Sequence, residues 1–226
     1  TIVERLRATK LIVDEIPKYI RLARKFKKKG KIADLDPEII AKIPYWDSLY
    51  EHQKTAVAYG ILDFKGRVYL ADQMGSGKTY SVISILNYLL LRKGGHSKVL
   101  ILCPASLQQN WKTVVAEKGV ADAEVHILSY DKAKNVHKEI KAKKYDACLL
   151  DEAHCLKDTT TQRYRKLAPA LKRIEYRILL SGTPCVNRAD ELYSPLSILY
   201  PKLFKSKKKF MDRYFNKISR KCRLPN

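Results

Sequence analysis

Apolar residues recur along this chain with two periods, and the periods alternate. Short, nearly all-apolar runs occupy residues 67–71, 98–103, 124–128, 145–150 and 176–181. Runs of this length and composition predict strands buried on both faces. Between them the spacing turns helical, over residues 78–92, 107–118, 131–142 and 160–173. Gly94-Gly95 and Gly119 punctuate the first two helices. Repeated strand–helix units predict an α/β fold, a parallel sheet sandwiched between helices, with ligands at the carboxyl ends of the strands. Ahead of the first strand, Asp36-Pro37 predicts a short helix capped by Asp36. Ser48-Leu49-Tyr50-Glu51 reads as a capping box for a helix reaching about Leu62. Farther upstream, Ile16, Ile20, Ala23 and Phe26 form an apolar seam at helical spacing. The alternation stops after Pro201. Three segments are expected: a basic, partly helical extension over 1–44, the sheet domain over 45–201, and a basic tail over 202–226.

Charge adds a partner to this picture. The 45 basic and 23 acidic residues leave a net charge of +22. That excess exceeds what solubility requires and implies a polyanion, nucleic acid first. It is also clustered. Residues 18–31 carry Lys18, Arg21, Arg24, Lys25, Lys27, Lys28, Lys29 and Lys31 with no acid between them. The tail carries Lys202, Lys205, Lys207, Lys208, Lys209, Arg213, Lys217, Arg220, Lys221 and Arg223 against Asp212 alone. A solvated basic face is the alternative for either cluster. No apolar run approaches the roughly 20 residues that span a bilayer, so no membrane is expected among the partners. Cys103, Cys148, Cys155, Cys185 and Cys222 show no CxxC pairing. They indicate neither disulfides nor structural zinc, and suit buried free thiols of an intracellular protein.

The candidate chemistry lies at two strand ends. Ala71-Asp72-Gln73-Met74-Gly75-Ser76-Gly77-Lys78-Thr79 follows the apolar Val68-Tyr69-Leu70 and opens a long helix. A strand, a glycine loop, Lys-Thr and a helix together hold a nucleoside triphosphate. Gly75, Ser76 and Gly77 let backbone N–H groups approach the phosphates, and the helix start adds a positive dipole end. Lys78 would reach the β and γ phosphates, and Thr79 would offer its hydroxyl to Mg²⁺. Asp72 stands where the longer Walker pattern has glycine, which makes this the shortened GxGKT form. The second strand end is Ala147-Cys148-Leu149-Leu150-Asp151-Glu152-Ala153-His154. Asp151 is placed to hold Mg²⁺ through water, and Glu152 to orient and deprotonate an attacking water. His52, His96, His126 and His137 have no ligand spacing, so no metal beyond Mg²⁺ is expected.

Together these segments resemble superfamily 2 helicase-like ATPases. The segment from Leu102 through Pro104, Ser106, Leu107 and Asn110 to Trp111 is similar to the Pro-x-Ser-Leu…Asn-Trp element of Swi/Snf-type motors. Ser129-Tyr130-Asp131 resembles their Ser-Tyr segment, and Ser181-Gly182-Thr183-Pro184 with Glu191-Leu192 resembles their third motif. RNA helicases of the superfamily usually carry Ser-Ala-Thr in that motif. Ile16-Pro17-Lys18-Tyr19-Ile20, Glu191-Leu192-Tyr193 and the later aromatic residues resemble the HepA-related annealing helicases, which rewind DNA and remodel forks. Gln73 and Ser76 depart from the usual phosphate-loop sequence without removing a catalytic atom. Pro195 interrupts a family helix and is expected to restart it with Ser194 as cap.

The resemblance implies a RecA-like P-loop lobe using ATP and Mg²⁺ on duplex or forked DNA. It implies that Gln53 reads adenine, that His154 links the ATP site to the third motif, and that Ser181, Gly182 and Thr183 couple nucleotide to DNA. DNA contacts are expected at Ser106, Gln108 and Asn110 and at the tail lysines Lys207, Lys208 and Lys209. Trp111 reads equally well as a packing residue. A second lobe is expected in the full-length protein, because no finger motif occurs here and Arg188 belongs by resemblance to this lobe's own helix start. The residues alone are therefore expected to bind ATP weakly and turn it over barely. In a eukaryote the expected location is the nucleus, otherwise the cytoplasm. Two other possibilities remain: an RNA-directed helicase lobe, and a basic nucleic-acid-binding scaffold without turnover.

Overall fold

The computed structural model describes residues 30–43, 45–73, 75–184 and 189–214. The seam at 16–26, all of the first basic cluster but Lys31, the tail residues Lys217, Arg220, Lys221 and Arg223, and Cys185, Asn187, Arg188 and Cys222 lie outside the described residues. All five expected strands are present: β1 (Arg67–Leu70), β2 (Ser97–Cys103), β3 (Ala123–Ser129), β4 (Ala147–Leu150) and β5 (Tyr176–Leu180). They form one parallel sheet in the order β1-β5-β4-β2-β3.

Alternation within the strands explains why both faces are covered. Val99, Ile101, Ala147, Leu149, Ile178 and Leu180 join one buried cluster. Their strand neighbours Leu100, Leu102, Cys148, Leu150 and Leu179 join another. With a period of two, a run that is apolar at every position has two apolar faces and needs a helical layer on each. On the first face lie α1 (Pro37–Ile40), α2 (Glu51–Ala58), α3 (Lys78–Lys93) and α4 (Gln108–Lys118). On the second lie α5 (Tyr130–Asn135), α6 (His137–Ala142), α7 (Gln162–Leu171) and α8 (Tyr193–Leu199). A last helix, α9 (Lys207–Tyr214), buries Phe210 against Leu192 and Tyr193. Each fully buried leucine or isoleucine contributes roughly 1.5–3 kcal/mol, so the central strands make a stiff base for the loops at their ends. Among the described residues no helix is long and apolar enough to cross a membrane.

Three local expectations change. The helix expected over 131–142 breaks at Val136 (φ −96°, ψ 24°), giving α5 and α6. The capping box is not the one centred on Ser48. Helix α2 begins at Glu51, and Gln53 Oε1 accepts the Tyr50 N–H at 2.9 Å, while the Ser48 hydroxyl donates to Tyr45 O at 2.7 Å. Ser194 does not cap the helix holding Pro195. That helix starts one residue earlier, with Leu192 at the cap position, and the Ser194 hydroxyl donates to Leu156 O. Ahead of residue 44, Leu35, Ile39 and Ile43 are buried in the same cluster as α3, and the Asp36 N–H donates to Tyr88 Oη at 2.9 Å. The Asp36 cap is present as expected, accepting the Glu38 N–H at 2.9 Å with Pro37 in the first position.

Candidate active site

Strand order decides which loops meet. β5 lies between β1 and β4, so its carboxyl end sits between the glycine loop and the paired carboxylates. The ends are level, with Leu70 opposite Leu180, Leu150 opposite Leu179, and Leu102 opposite Leu150. The backbone carries this register past the strands. Ser181 N–H donates to Leu70 O at 3.1 Å, and Asp151 N–H donates to Leu102 O at 2.8 Å. Lys78, Ser181, Asp151 and Glu152 therefore gather at one edge, as expected.

In the glycine loop, Gly75 (φ +82°) and Gly77 (φ +71°) take left-handed conformations that other residues adopt at a cost. Gly77 is the N-cap of α3, so the loop delivers its backbone directly to a helix start. Lys78 Nζ donates to Asp72 O at 2.8 Å and Gln73 O at 2.7 Å. Thr79 follows it in the first turn of α3, half-buried. The hydroxyl of Ser76 is buried without a hydrogen-bond partner.

Gln53, expected to read adenine, bonds to the backbone of the glycine loop. It is 4% exposed. Its Nε2 donates to Gly77 O at 3.2 Å and Ser76 O at 3.5 Å, while its Oε1 accepts from Tyr50. The amide nitrogen braces the loop, and the amide oxygen ties Gln53 to the start of its own helix. A Cβ on Gly77 would stand 2.1 Å from Gln53 Nε2, so this brace is possible only over a glycine. His52, to which the sequence assigned no role, adds a ring contact from Nε2 to Ser76 O at 3.1 Å.

The carboxylate side is more tightly bonded. Asp151 Oδ2 accepts from Trp111 Nε1 at 2.8 Å, and Oδ1 accepts the Glu152 N–H at 2.9 Å. Burial raises its pKa above the ordinary aspartate value against the pull of these two donors. Glu152 has a left-handed backbone (φ 48°, ψ 54°). A non-glycine residue held there costs of order 1–3 kcal/mol and persists where its surroundings fix it. Here Glu152 Oε2 accepts from Ser181 Oγ at 3.2 Å and lies 3.0 Å from His154 Nδ1. His154 Nδ1 is also 3.0 Å from Ser181 Oγ, which accepts the Thr183 N–H at 3.1 Å. A carboxylate only accepts, so the network assigns the imidazole proton to Nδ1. The link from His154 to Ser181 and Thr183 that the resemblance implies is thus a set of hydrogen bonds. Gly182 lies between the last two, half-buried.

The donor set suits Mg²⁺ and a polyphosphate. Each Asp151 oxygen accepts one N–H and keeps a lone pair, and the carboxylate has no ion-pair partner among the described residues. The partnerless Ser76 hydroxyl and the two glycines give the loop polar capacity without steric bulk. Among the described residues no group of three or more His, Cys, Asp or Glu is placed to hold a metal. Mg²⁺ in nucleotide sites uses one or two protein ligands with waters and phosphates, so no such group is needed. Cys103 and Cys148 are buried free thiols, pushed by burial to about 11 and about 12.

The expected nucleic-acid residues divide. Ser106, in a 3₁₀ turn (Ala105–Leu107), and Asn110, in the first turn of α4, are exposed at the carboxyl edge. Gln108 is half-buried and donates to Ile127 O at 3.5 Å. In α9, Lys208 and Lys209 are exposed, whereas Lys207 Nζ pairs with Asp190 Oδ2 at 3.2 Å. Trp111 is the clearest omission. Its indole N–H, 1% exposed, needed an acceptor, and its place on the helix after β2 put Asp151 within reach.

Comparison with known proteins follows this geometry. The chain matches the SNF2-related domain over residues 52–118 and 112–223. It is 30% identical, over 92% of its length, to a SWI/SNF-related matrix-associated actin-dependent regulator of chromatin subfamily A-like protein 1 homolog of Caenorhabditis elegans, covering 32% of that protein. It is 30% identical over 94% of its length to the Bos taurus protein of that name, covering 24% of it. Among solved structures, the Sulfolobus solfataricus SWI2/SNF2 ATPase core in complex with dsDNA is similar, with a TM-score of 0.63, 24% identity, and coverage of 73% of this chain and 38% of that one. The chain thus spans about a third or less of these curated relatives.

Proposed function

This chain belongs to the SNF2-related domain family, and we propose that it is the ATP-binding lobe of a DNA-dependent ATPase that moves on or remodels duplex DNA. One observation carries the proposal: the glycine loop with Lys78, the Ser181 hydroxyl, and the Asp151–Glu152 pair occupy the ends of three adjacent strands. In this role the loop N–H groups and the α3 N-terminus bind phosphate, and Lys78 moves from the loop carbonyls to the β and γ phosphates. Thr79 and Asp151 hold Mg²⁺, which neutralises phosphate charge and fixes the nucleotide. Glu152 takes the proton of the attacking water, and Ser181 and His154 hold its carboxylate in place. Preference for ATP over GTP rests on Gln53 exchanging its loop partners for adenine; equal affinity for the two would remove that element.

The net charge of +22 supports a DNA partner, as does the duplex held by the similar archaeal core. Contacts through Ser106, Asn110, Lys208 and Lys209 would fall on backbone phosphates and position without reading sequence. Annealing or fork remodelling, and a nuclear location in a eukaryote, are the finer forms of the proposal; the names of the two chromatin-regulator relatives support the location. Turnover needs a second lobe, whose arginine finger is worth about 10³–10⁵ in rate.

Two measurements test the proposal. Duplex affinity is expected to fall with salt by roughly 0.9 log units per phosphate contact per log unit of salt, and a flat response would remove the polyanion argument. ATPase stimulated by DNA is expected to stay near background for this chain and to rise when a family second lobe is added. Robust stimulated turnover by the chain alone would contradict the two-lobe mechanism, and stimulation by RNA in preference to duplex DNA would reassign the substrate.

A further inference from the structure

Two buried aromatic side chains grip Asp151 from opposite faces of the sheet. Trp111 comes from α4 on the first face and donates its indole N–H to Oδ2 at 2.8 Å. Tyr130 comes from α5 on the second face and donates its hydroxyl to the Asp151 carbonyl at 2.7 Å. They are 1% and 2% exposed. Burial pushes the Tyr130 phenol well above its ordinary pKa, so it stays a donor. Hydrogen bonds this dry are stiff, and losing one leaves a buried group unsatisfied.

Both helices also begin at the carboxyl edge of the sheet, where Ser106 and Asn110 are proposed to meet DNA. Trp111 directly follows the exposed Asn110, and Ser106 lies in the turn just before α4. Tyr130 directly precedes the exposed Asp131 and Lys132, in a first turn capped by Ser129 Oγ, which accepts the Lys132 N–H at 3.2 Å. Each aromatic group therefore has its backbone at the expected DNA edge and its polar atom on the residue expected to hold Mg²⁺.

We propose that Trp111 and Tyr130 are positioning residues that transmit DNA occupancy of this edge to Asp151. A shift of either helix start when phosphates dock carries a rigid ring with it. The hydrogen bond then re-aims the carboxylate through Trp111, or its backbone through Tyr130. Neither residue touches nucleotide or DNA. The inference rests on the DNA-dependent ATPase proposed above. Coupling of this kind is reciprocal, so Mg²⁺-nucleotide must alter DNA affinity by the factor that DNA alters nucleotide affinity.

The test measures duplex affinity of the full chain by fluorescence anisotropy, with and without saturating Mg²⁺ and ADP, for the parent, Trp111→Phe and Tyr130→Phe. Both variants keep an aromatic ring and lose one donor. The parent is expected to show a change of at least about fivefold between the two conditions, the lower end of typical coupling. The change should fall below about twofold in Trp111→Phe and be reduced in Tyr130→Phe, with duplex affinity in the absence of nucleotide kept near the parent's. A merely structural role would lower thermal stability and leave the ratio intact. Parent-like ratios in both variants overturn the inference, as does a ratio near one in a parent that binds each ligand; the DNA proposal then stands. A parent that binds no duplex removes both. Should Trp111→Phe fail to fold, Tyr130→Phe decides, since it removes a single oxygen.

Discussion

Strand β4 carries an aspartate at each end, and the two meet opposite environments. At the amino end, Asp146 pairs with Lys93 Nζ at 2.6 Å and accepts the Lys98 N–H at 2.8 Å. Burial by itself would push its carboxyl up, but these hydrogen bonds and the lysine charges hold it below the ordinary value. At the carboxyl end, Asp151 accepts only from neutral donors, the Trp111 indole and the Glu152 N–H, and burial raises it. The same residue type flanks the strand at both ends, ion-paired with lysine at one and held by neutral donors at the other, the end proposed to take Mg²⁺. A charge without a partner in a half-dry site marks function better than residue identity does.

The strongest way to break this contrast is to remove the chemistry from the carboxyl end while keeping its shape. In the chain combined with a second lobe, Glu152→Gln is expected to lower DNA-stimulated turnover by about 10²–10⁴, the range for a lost general base. Binding of Mg²⁺-ATP should persist, and parent-like turnover would place the base elsewhere. Next in size is Lys78→Ala, expected to weaken ATP binding by about 2–5 kcal/mol, as when one partner of a desolvated charge pair is deleted. Titration calorimetry measures it, and an unchanged melting temperature would show that the loss is confined to the ligand.

The smallest effect sharpens the comparison through pH. Asp146→Asn should cost about 1–3 kcal/mol at pH 7, the worth of hydrogen bonds to a charged group. Because the folded pKa of Asp146 is lowered, its contribution is present above the ordinary aspartate value and lost as pH falls through the lowered one. The gap between parent and Asp146→Asn should therefore close in acid. For Asp151 the sign reverses. Its folded pKa is raised, so ionisation works against the ligand-free fold, and the parent should gain on Asp151→Asn as pH falls. Thermal melts of the three proteins between pH 7 and about 2, reaching well below ordinary carboxylate values, check both signs. Parallel curves for the two variants would erase the distinction between the strand ends.

Much of this was legible in the sequence, for a physical reason. Strands such as 98–103 are apolar at every position, and only a sheet covered on both faces satisfies that pattern. The glycine loop and the Asp-Glu pair were equally legible, because their chemistry is local to a few consecutive residues. What escaped were bonds to partners distant in sequence that no motif announces. Trp111 looked like a packing residue because its acceptor lies 40 positions away. The bond of Gln53 to Gly77 could not be read from spacing, because it crosses 24 positions. Lys207 looked free until Asp190 was found beside it. The misplaced caps at Ser48 and Ser194 are local errors of another kind. Each serine hydroxyl donates to a backbone carbonyl instead of accepting the helix N–H expected of it.

The bonds from Lys78 Nζ to Asp72 O and Gln73 O make the loop its own competitor. A ligand does not enter beside a waiting ammonium; it must displace two acceptors tethered a few residues away, at high local concentration. An incoming molecule with one phosphate offers a poor exchange. A chain of phosphates can replace both acceptors with neighbouring anionic oxygens and add Coulomb attraction that the carbonyls lack. The loop thereby sorts ligands by phosphate count before any base is recognised, and keeps its only lysine from settling on stray monoanions between turnovers.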